Sequence, residues 1–224
     1  MQFACSKIPN LFGLTDFKEI VYMDTDMLLL ENIDFVFDQL RPQNNISMVS
    51  NPTSTVDFDH ATGLPANNGF AFNGGLMLLR PDCDIRRSFL DFLDARRSQN
   101  MSPSARADQK LTADFFKNRV QPLPVDLNWA PWNMCLHGGG LREYAEHHPP
   151  KVIHFSGKIK ICAPAREHLL DEFSSKYSAT KCGSLGEKWI YEWKRIFTLV
   201  KEVLDTCTAD CSQQLVDTQE ARLV

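Results

Sequence analysis

Short apolar runs alternate along the chain with polar breaks marked by glycine, proline or asparagine. The longest such run, Ile20 to Leu30, is bounded by turn signals, as expected of a buried strand. Ala71 to Leu79 reads as a glycine-hinged turn into a second apolar strand. Ser47 to Ser50 and Val152 to Phe155 read as shorter strands. Helical spacing predicts a helix over Arg86 to Ser98, with Phe89, Leu90, Phe92 and Leu93 inward, and a helix start at Asp108 to Lys117. Phe3 to Thr15 suits a short helix or turn, with Phe3, Ile8, Leu11, Phe12 and Leu14 as its apolar positions. Asn32 to Phe37 suits a short helix capped by Asn32 or Asp34. Residues 51–69 are rich in Pro, Asn, Gly and Thr and read as a loop. Past residue 165 the character changes. Glu187 to Leu204 carries Trp189, Ile190, Trp193, Ile196, Phe197, Val200 and Leu204 at helical spacing, with Lys188, Lys194, Arg195 and Lys201 nearby. That stripe suits a helix packed on a domain, or one that meets a partner or membrane surface.

Strands alternating with helices argue for an α/β sheet. The 224 residues suffice for one sizeable domain with an appendage, and 43% hydrophobic with 23% charged residues is ordinary for a soluble globular protein. A net charge of −4 offers no footprint for nucleic acid. No apolar run reaches the roughly 18 residues of a transmembrane segment. The seven cysteines are odd in number and form no CxxC pair, so zinc is unsupported and buried free thiols are expected. Asn45-Ile46-Ser47 and Asn100-Met101-Ser102 fit the N-glycosylation acceptor pattern. The first residues lack the form of a signal peptide, which makes the chain cytoplasmic as written, or a Golgi protein if an upstream segment carries the targeting signal.

Two acids interrupt the longest apolar run. On a strand, Asp24 and Asp26 would face the same way, and like charges that close repel each other and are costly to bury. A hard divalent cation, Mn²⁺ or Mg²⁺, resolves that conflict, and a metal at a strand end commonly meets phosphate.

Further segments follow in order. They are Tyr-Met-Asp-Thr-Asp-Met-Leu-Leu-Leu-Glu-Asn-Ile-Asp at 22–34, Phe-Asn-Gly-Gly-Leu-Met-Leu-Leu-Arg-Pro at 72–81 and Ala-Asp-Gln-Lys-Leu at 107–111, then Leu-Pro-Val-Asp-Leu-Asn at 123–128 and Val-Ile-His-Phe-Ser-Gly-Lys-Ile-Lys at 152–160. The ordered set resembles the glycogenin-like glycosyltransferases of family 8, over about residues 3 to 164. The resemblance implies a GT-A-like, Rossmann-like α/β mixed sheet flanked by helices over residues 1–165, and the helical spacing beyond it adds a C-terminal helical tail over 166–224. It implies a metal site of Asp24, Asp26 and His154, binding Mn²⁺ or Mg²⁺ against the diphosphate of a UDP-sugar. Gly157 and Lys160 would lie at that diphosphate. Asn73, Gly74 and Asn128 would line the donor pocket, and Asp108 and Gln109 would stand near the reaction centre beside Lys160. The implied reaction moves a hexose or pentose from the UDP-sugar to a hydroxyl acceptor (a glycan, polyol or protein) with retention at the anomeric carbon.

Read on their residues alone, several of these positions admit plainer roles. Asn73 suits a turn beside two glycines, Asp108 a helix N-terminus and Lys160 a solvated loop. The sequence departs from the family in places too. Some twenty residues precede Asp24 where the family carries the first half of its nucleotide-binding sheet, so the domain is expected to be N-terminally incomplete. The strand bearing the acids would then sit at a sheet edge. Gly74 replaces a serine, Ala105 an acid, and Ile-Cys-Ala-Pro follows Lys160 in place of Pro-Trp. These departures keep open a second reading, a catalytically inactive form acting only as a binding protein. A third, a metal-dependent phosphohydrolase, lacks a nominated water-activating base.

Overall fold

The computed structural model of the protein describes residues 7–51, 58–66, 71–97, 107–130, 139–156, 191, 194–196 and 198. The chain divides into two compact units, Met1–His154 and Phe155–Val224. In the first, the strands are β1 (Ile20–Met23), β2 (Met27–Leu29), β3 (Ile46–Asn51), β4 (Ala71–Leu79), β5 (Val120–Leu123) and β6 (Val152–His154). The helices are α1 (Ile8–Leu11), α2 (Cys83–Arg97), α3 (Ala107–Phe116) and α4 (Gly139–His147).

The main sheet runs β1-β4-β3-β5, with β4 antiparallel to both neighbours and β5 parallel to β3. β4 is the centre of the fold because its side chains alternate between two cores. Met77 and Leu79 join Ile8, Phe12, Met48, Phe89 and Phe116 on the side of α1, α2 and α3. Leu76 and Leu78 join Ile33, Val36, Val49, Leu123, Leu127 and Val152 on the other. This is the two-residue period of a strand buried on both faces. The result is the expected mixed sheet flanked by helices. β1 occupies one edge, and among the described residues no strand pairs with its outer side.

The expected single strand Ile20 to Leu30 is two strands. The chain leaves β1 at Met23, turns through Asp24-Thr25-Asp26, and enters β2, which belongs to a separate two-stranded sheet with β6. Two acids flanking a threonine cannot be buried unpaired between packed layers, so the ladder breaks there. The run is half-buried rather than buried, and Leu29 and Leu30 are exposed. The expected hinge at Gly74 and Gly75 is absent too: β4 runs unbroken through both glycines, and a register shift opposite Met48 and Val49 absorbs the irregularity.

Other expectations meet smaller corrections. Leu90 points outward at 37% exposure, while Phe89 is fully buried. Cys83 is a free thiol but an exposed one, at the first residue of α2. Asn32 does act as a cap, its side-chain oxygen accepting the Asp34 N–H at 2.7 Å, but the segment it opens is a 3-10 turn, Asp34–Asp38. Phe155 lies past the end of β6. Ser47 of the first glycosylation tripeptide is fully buried within β3, so the folded chain does not present it. The second tripeptide lies outside the described residues.

α4 and the loop at 58–66 carry features that periodicity did not show. Gly63 has φ of +63°, and a Cβ there would lie 2.5 Å from the Tyr144 ring, so only glycine fits. Tyr144 is itself buried, and burial first, then the neighbouring Asp126, holds its phenol well above the ordinary tyrosine range. Asp126 is 1% exposed and pairs with the Lys151 ammonium. Pro122 is tolerated in β5 because that strand lies at the sheet edge.

In the second unit Tyr191, Lys194–Ile196 and Thr198 are helical, Ile196 is buried and the Thr198 hydroxyl donates to the Lys194 carbonyl at 2.9 Å. Much of the expected helix at 187–204, and the whole of Gly157 to Lys160, lies outside the described residues. No helix among the described residues is long and apolar enough to cross a membrane.

Candidate functional site

The break between β1 and β2 forms the site. Asp24 is held by its backbone, whose N–H donates to the Gly75 carbonyl at 2.8 Å as the last rung between β1 and β4. Asp26 stands at the entrance to β2. Antiparallel pairing of β2 with β6 then sets Met27 opposite His154. A histidine far along the sequence thereby reaches the two acids.

The distances are short. His154 Nε2 lies 3.4 Å from Asp26 Oδ1 and 3.9 Å from Asp24 Oδ2. One donor atom from each of the three residues falls within 4.8 Å of the others. Donors in cis positions around an ion bonded at about 2.1 Å lie about 3 Å apart. The two distances from His154 need to close by less than about 1 Å to match such an ion. Two carboxylates and one imidazole nitrogen facing each other present only acceptors unless a proton or metal cation lies between them. Two oxygens and one nitrogen suit Mn²⁺ or Mg²⁺, so the donor set fits the ion expected from the sequence.

Asp24 and His154 are each oriented by a neighbour. The Tyr22 hydroxyl donates to Asp24 Oδ1 at 2.5 Å, and the exposed Lys7 ammonium lies 3.4 Å from the same oxygen and 4.8 Å from the Tyr22 ring centre. Burial, then the bond to Asp24, raises the Tyr22 phenol above its ordinary value, so it stays a donor at neutral pH. With Oδ1 engaged, Oδ2 is the Asp24 atom turned toward His154. The His154 Nδ1 lies 2.8 Å from Asn128 Oδ1. Its ring also rests on Gly75, where an added Cβ would fall 2.5 Å from Cε1. Gly75 therefore serves two members of the cluster: its carbonyl holds Asp24, and its missing side chain makes room for the imidazole.

Four of the remaining candidates, Asn73, Gly74, Gln109 and Asn128, are linked to this group by hydrogen bonds. Asn73 Oδ1 accepts the Gly75 N–H at 2.8 Å. The half-buried Gln109 of α3 reaches β4, its Oε1 accepting the Gly74 N–H at 3.3 Å. Asn73, Gly74 and Gln109 thus form one continuous surface with Gly75. Asp108 lies in the first turn of α3. Asn128 is buried beneath His154. Gly157 and Lys160 lie outside the described residues. Sequence reasoning passed over Tyr22, and took Gly75 only as part of the turn beside Asn73 rather than as the seat of the imidazole. A signal for Tyr22 was present: on β1 it stands two residues before Asp24 and so shares its face. Nothing local marked Gly75 apart from Gly74.

The family model described as Glycosyl transferase family 8 matches residues 1–161. Glycogenin-1 of Caenorhabditis elegans is 26% identical over 156 residues, covering 67% of this chain and 30% of its own length. Glycogenin-2 of Homo sapiens is 23% identical over 203 residues, covering 87% of this chain and 36% of its own. A UDP-glucuronate:xylan alpha-glucuronosyltransferase of Arabidopsis thaliana, number 1 of its kind, is 38% identical over 72 residues, or 32% of this chain and 8% of that protein. The chain thus spans about a third or less of the length of these relatives. Among solved structures, the galactosyltransferase LgtC in complex with donor and acceptor sugar analogs matches with TM-score 0.51 and 16% identity, over 78% of this chain and 68% of its own. The apo bifunctional glycosyltransferase WbbM matches with TM-score 0.54 and 16% identity, over 78% of this chain and 36% of its own. At that identity the shared feature is the fold, the mixed sheet of the GT-A glycosyltransferases.

Proposed function

The chain belongs to glycosyl transferase family 8, and from that premise we propose that it is a metal-dependent glycosyltransferase that moves a sugar from a UDP-sugar to a hydroxyl acceptor with retention at the anomeric carbon. The observation that carries the proposal is the convergence of Asp24, Asp26 and His154 at the break between β1 and β2. A UDP-sugar donor is supported by the name of the Arabidopsis relative, and a sugar acceptor by the ligands in the LgtC structure.

In this reading Asp24, Asp26 and His154 hold the cation, Mn²⁺ or Mg²⁺. Bound there, it would supply Lewis-acid neutralisation of the diphosphate leaving group. By the family resemblance alone, Lys160 would add a point charge for the diphosphate and Gly157 would let the backbone approach it closely. Asn73 and Gly74 line the pocket for the transferred sugar. Gln109 presents its amide beside them, and Asp108 orients or stabilises the sugar as positive charge develops on it. No side chain is assigned as a covalent nucleophile. The acceptor oxygen attacks from the face the leaving group vacates as the bond from the anomeric carbon to the diphosphate breaks, and the hydroxyl proton passes to the departing diphosphate.

A second reading, a chain that binds partners without turnover, draws support from the outer side of β1, which pairs with no strand among the described residues. Calorimetric titration of UDP with Mn²⁺ separates the two. The transferase reading expects metal-dependent heat from the wild-type chain and none from the Asp24→Asn, Asp26→Asn double variant. A folded wild-type chain that takes up no nucleotide favours the second reading. Mn²⁺-dependent UDP affinity retained by the double variant rules out the assigned metal site.

A further inference from the structure

We infer that Asn128 is a positioning residue that selects the metal-ligating tautomer of His154, rather than a residue that contacts the donor. The inference rests on the metal reading of the site given above.

Asn128 comes to His154 through backbone pairing. It ends a 3-10 turn, Val125–Leu127, and the chain then runs beside β6. The Trp129 N–H donates to the Val152 carbonyl at 2.9 Å, and the His154 N–H donates to the Trp129 carbonyl at 2.9 Å. These two bonds fix the register between the segments and bring the Asn128 side chain to the Nδ1 edge of the ring, with Oδ1 at 2.8 Å. Asn128 is 3% exposed and His154 4%, so the ring nitrogen has little access to water as a substitute partner. An amide that read a sugar or a diphosphate would have to open to the cleft, and this one is covered.

The orientation of the amide has a chemical consequence. Oδ1 only accepts, so its partner Nδ1 carries the proton, and in a neutral imidazole Nε2 then keeps its lone pair. Nε2 is the atom facing Asp26 and Asp24. A turned amide would donate to Nδ1 and move the proton to Nε2. That N–H would point at Asp26 and occupy the position of the ion. The ring lies close over Gly75, where an added Cβ would fall 2.5 Å from Cε1 and 2.7 Å from Nδ1. Outer-sphere partners of this kind, when removed, weaken metal affinity by about 10–100-fold.

Two variants and one spectrum test the inference on the full chain. Asn128→Leu removes the acceptor, and Asn128→Asp keeps an acceptor at the same place while removing the amide donors. Mn²⁺ affinity, measured by calorimetry without nucleotide, is expected to fall about 10–100-fold in Asn128→Leu and to stay near wild type in Asn128→Asp. In parallel, long-range ¹H–¹⁵N NMR correlations of the metal-free protein, with His154 assigned by mutation, report the tautomer directly. Wild type is expected to show the proton of the neutral ring on Nδ1, and Asn128→Leu to lose that preference. Wild-type Mn²⁺ affinity in Asn128→Leu overturns the inference, and so does a proton on Nε2 in the wild type. An Asn128→Asp variant as impaired as Asn128→Leu, with the Nδ1 proton retained, overturns it in favour of a role for the amide NH₂. Should the wild-type chain take up no Mn²⁺ at all, the metal reading falls, while the NMR arm still accepts or rejects the bond between Asn128 and His154.

Discussion

Gly74 and Gly75 stand side by side in the middle of β4, and adding one methyl group to each should have opposite effects. At Gly75 an alanine Cβ would lie 2.5 Å from His154 Cε1, 2.7 Å from Nδ1 and 3.1 Å from Asn73 Oδ1. Carbon atoms in contact sit at about 3.5–4.0 Å, so the ring would have to retreat by about 1 Å. Its backbone hydrogen bond to Trp129 and its side-chain bond to Asn128 oppose that movement. Overpacking of this kind costs about 1–3 kcal/mol. Metal–ligand bonds tolerate about 0.2 Å, so a ring displaced by several times that distance ceases to be a ligand. We expect Gly75→Ala to lower the urea midpoint and to weaken Mn²⁺ binding by about 100-fold, the upper end of what outer-sphere losses alone cause. At Gly74 the nearest atom to an added Cβ is Gln109 Cβ at 3.6 Å, an ordinary contact. Neither glycine has a positive φ, so alanine carries no backbone penalty at either position. Gly74→Ala should therefore keep wild-type Mn²⁺ affinity and match or slightly exceed wild-type stability, since glycine weakens a strand interior by about 0.5–1 kcal/mol. Urea unfolding followed by tryptophan fluorescence, with calorimetric Mn²⁺ titration, reads both quantities. Wild-type affinity and midpoint in Gly75→Ala, or equal damage from the two substitutions, would refute the argument.

Two further outcomes follow from single contacts. Tyr22→Phe deletes the hydroxyl that orients Asp24 without changing the packing of the ring. Mn²⁺ affinity should drop by about tenfold while stability changes by no more than about 1.5 kcal/mol, and a calorimetric titration that matches wild type would sink this assignment. Tyr144 governs a pH effect. Its phenol is held neutral in the fold by burial and by Asp126, so the folded state binds its proton more tightly than the unfolded chain does. The contribution is fully present below the unfolded value of about 10 and is lost as the pH rises above it. Wild-type stability should fall between about pH 9 and 11 more steeply than that of Tyr144→Phe, and parallel curves for the two proteins would contradict it.

Part of the chemistry is legible in the residues alone. Asn73, Asp108, Gln109 and His154 enter only through the resemblance of the ordered set of segments, whereas the paired acids stand out in their own segment and the mixed α/β sheet follows from the alternation of apolar runs. Those signals survive in one dimension because each depends on neighbours in the chain: a strand shows its two-residue period, a helix its apolar face. Local reasoning fails where it is carried across a break. Ile20 to Leu30 looks like one buried strand because it is continuously apolar apart from its acids and Thr25. The fold divides it between two sheets, since β1 has its partner in β4 and β2 has its partner in β6.

By itself, then, the order of residues determined which side chains could bind a cation and which segments could form strands. Only the tertiary structure decided that Asp26 and His154 become neighbours, that Tyr22 reaches Asp24 and Asn128 reaches His154, and that an added Cβ would meet the imidazole at Gly75 but not at Gly74. The physical reason is that such placements arise from hydrogen-bonded register and steric exclusion between segments far apart in the chain. Neither effect leaves a periodic trace in the segments themselves.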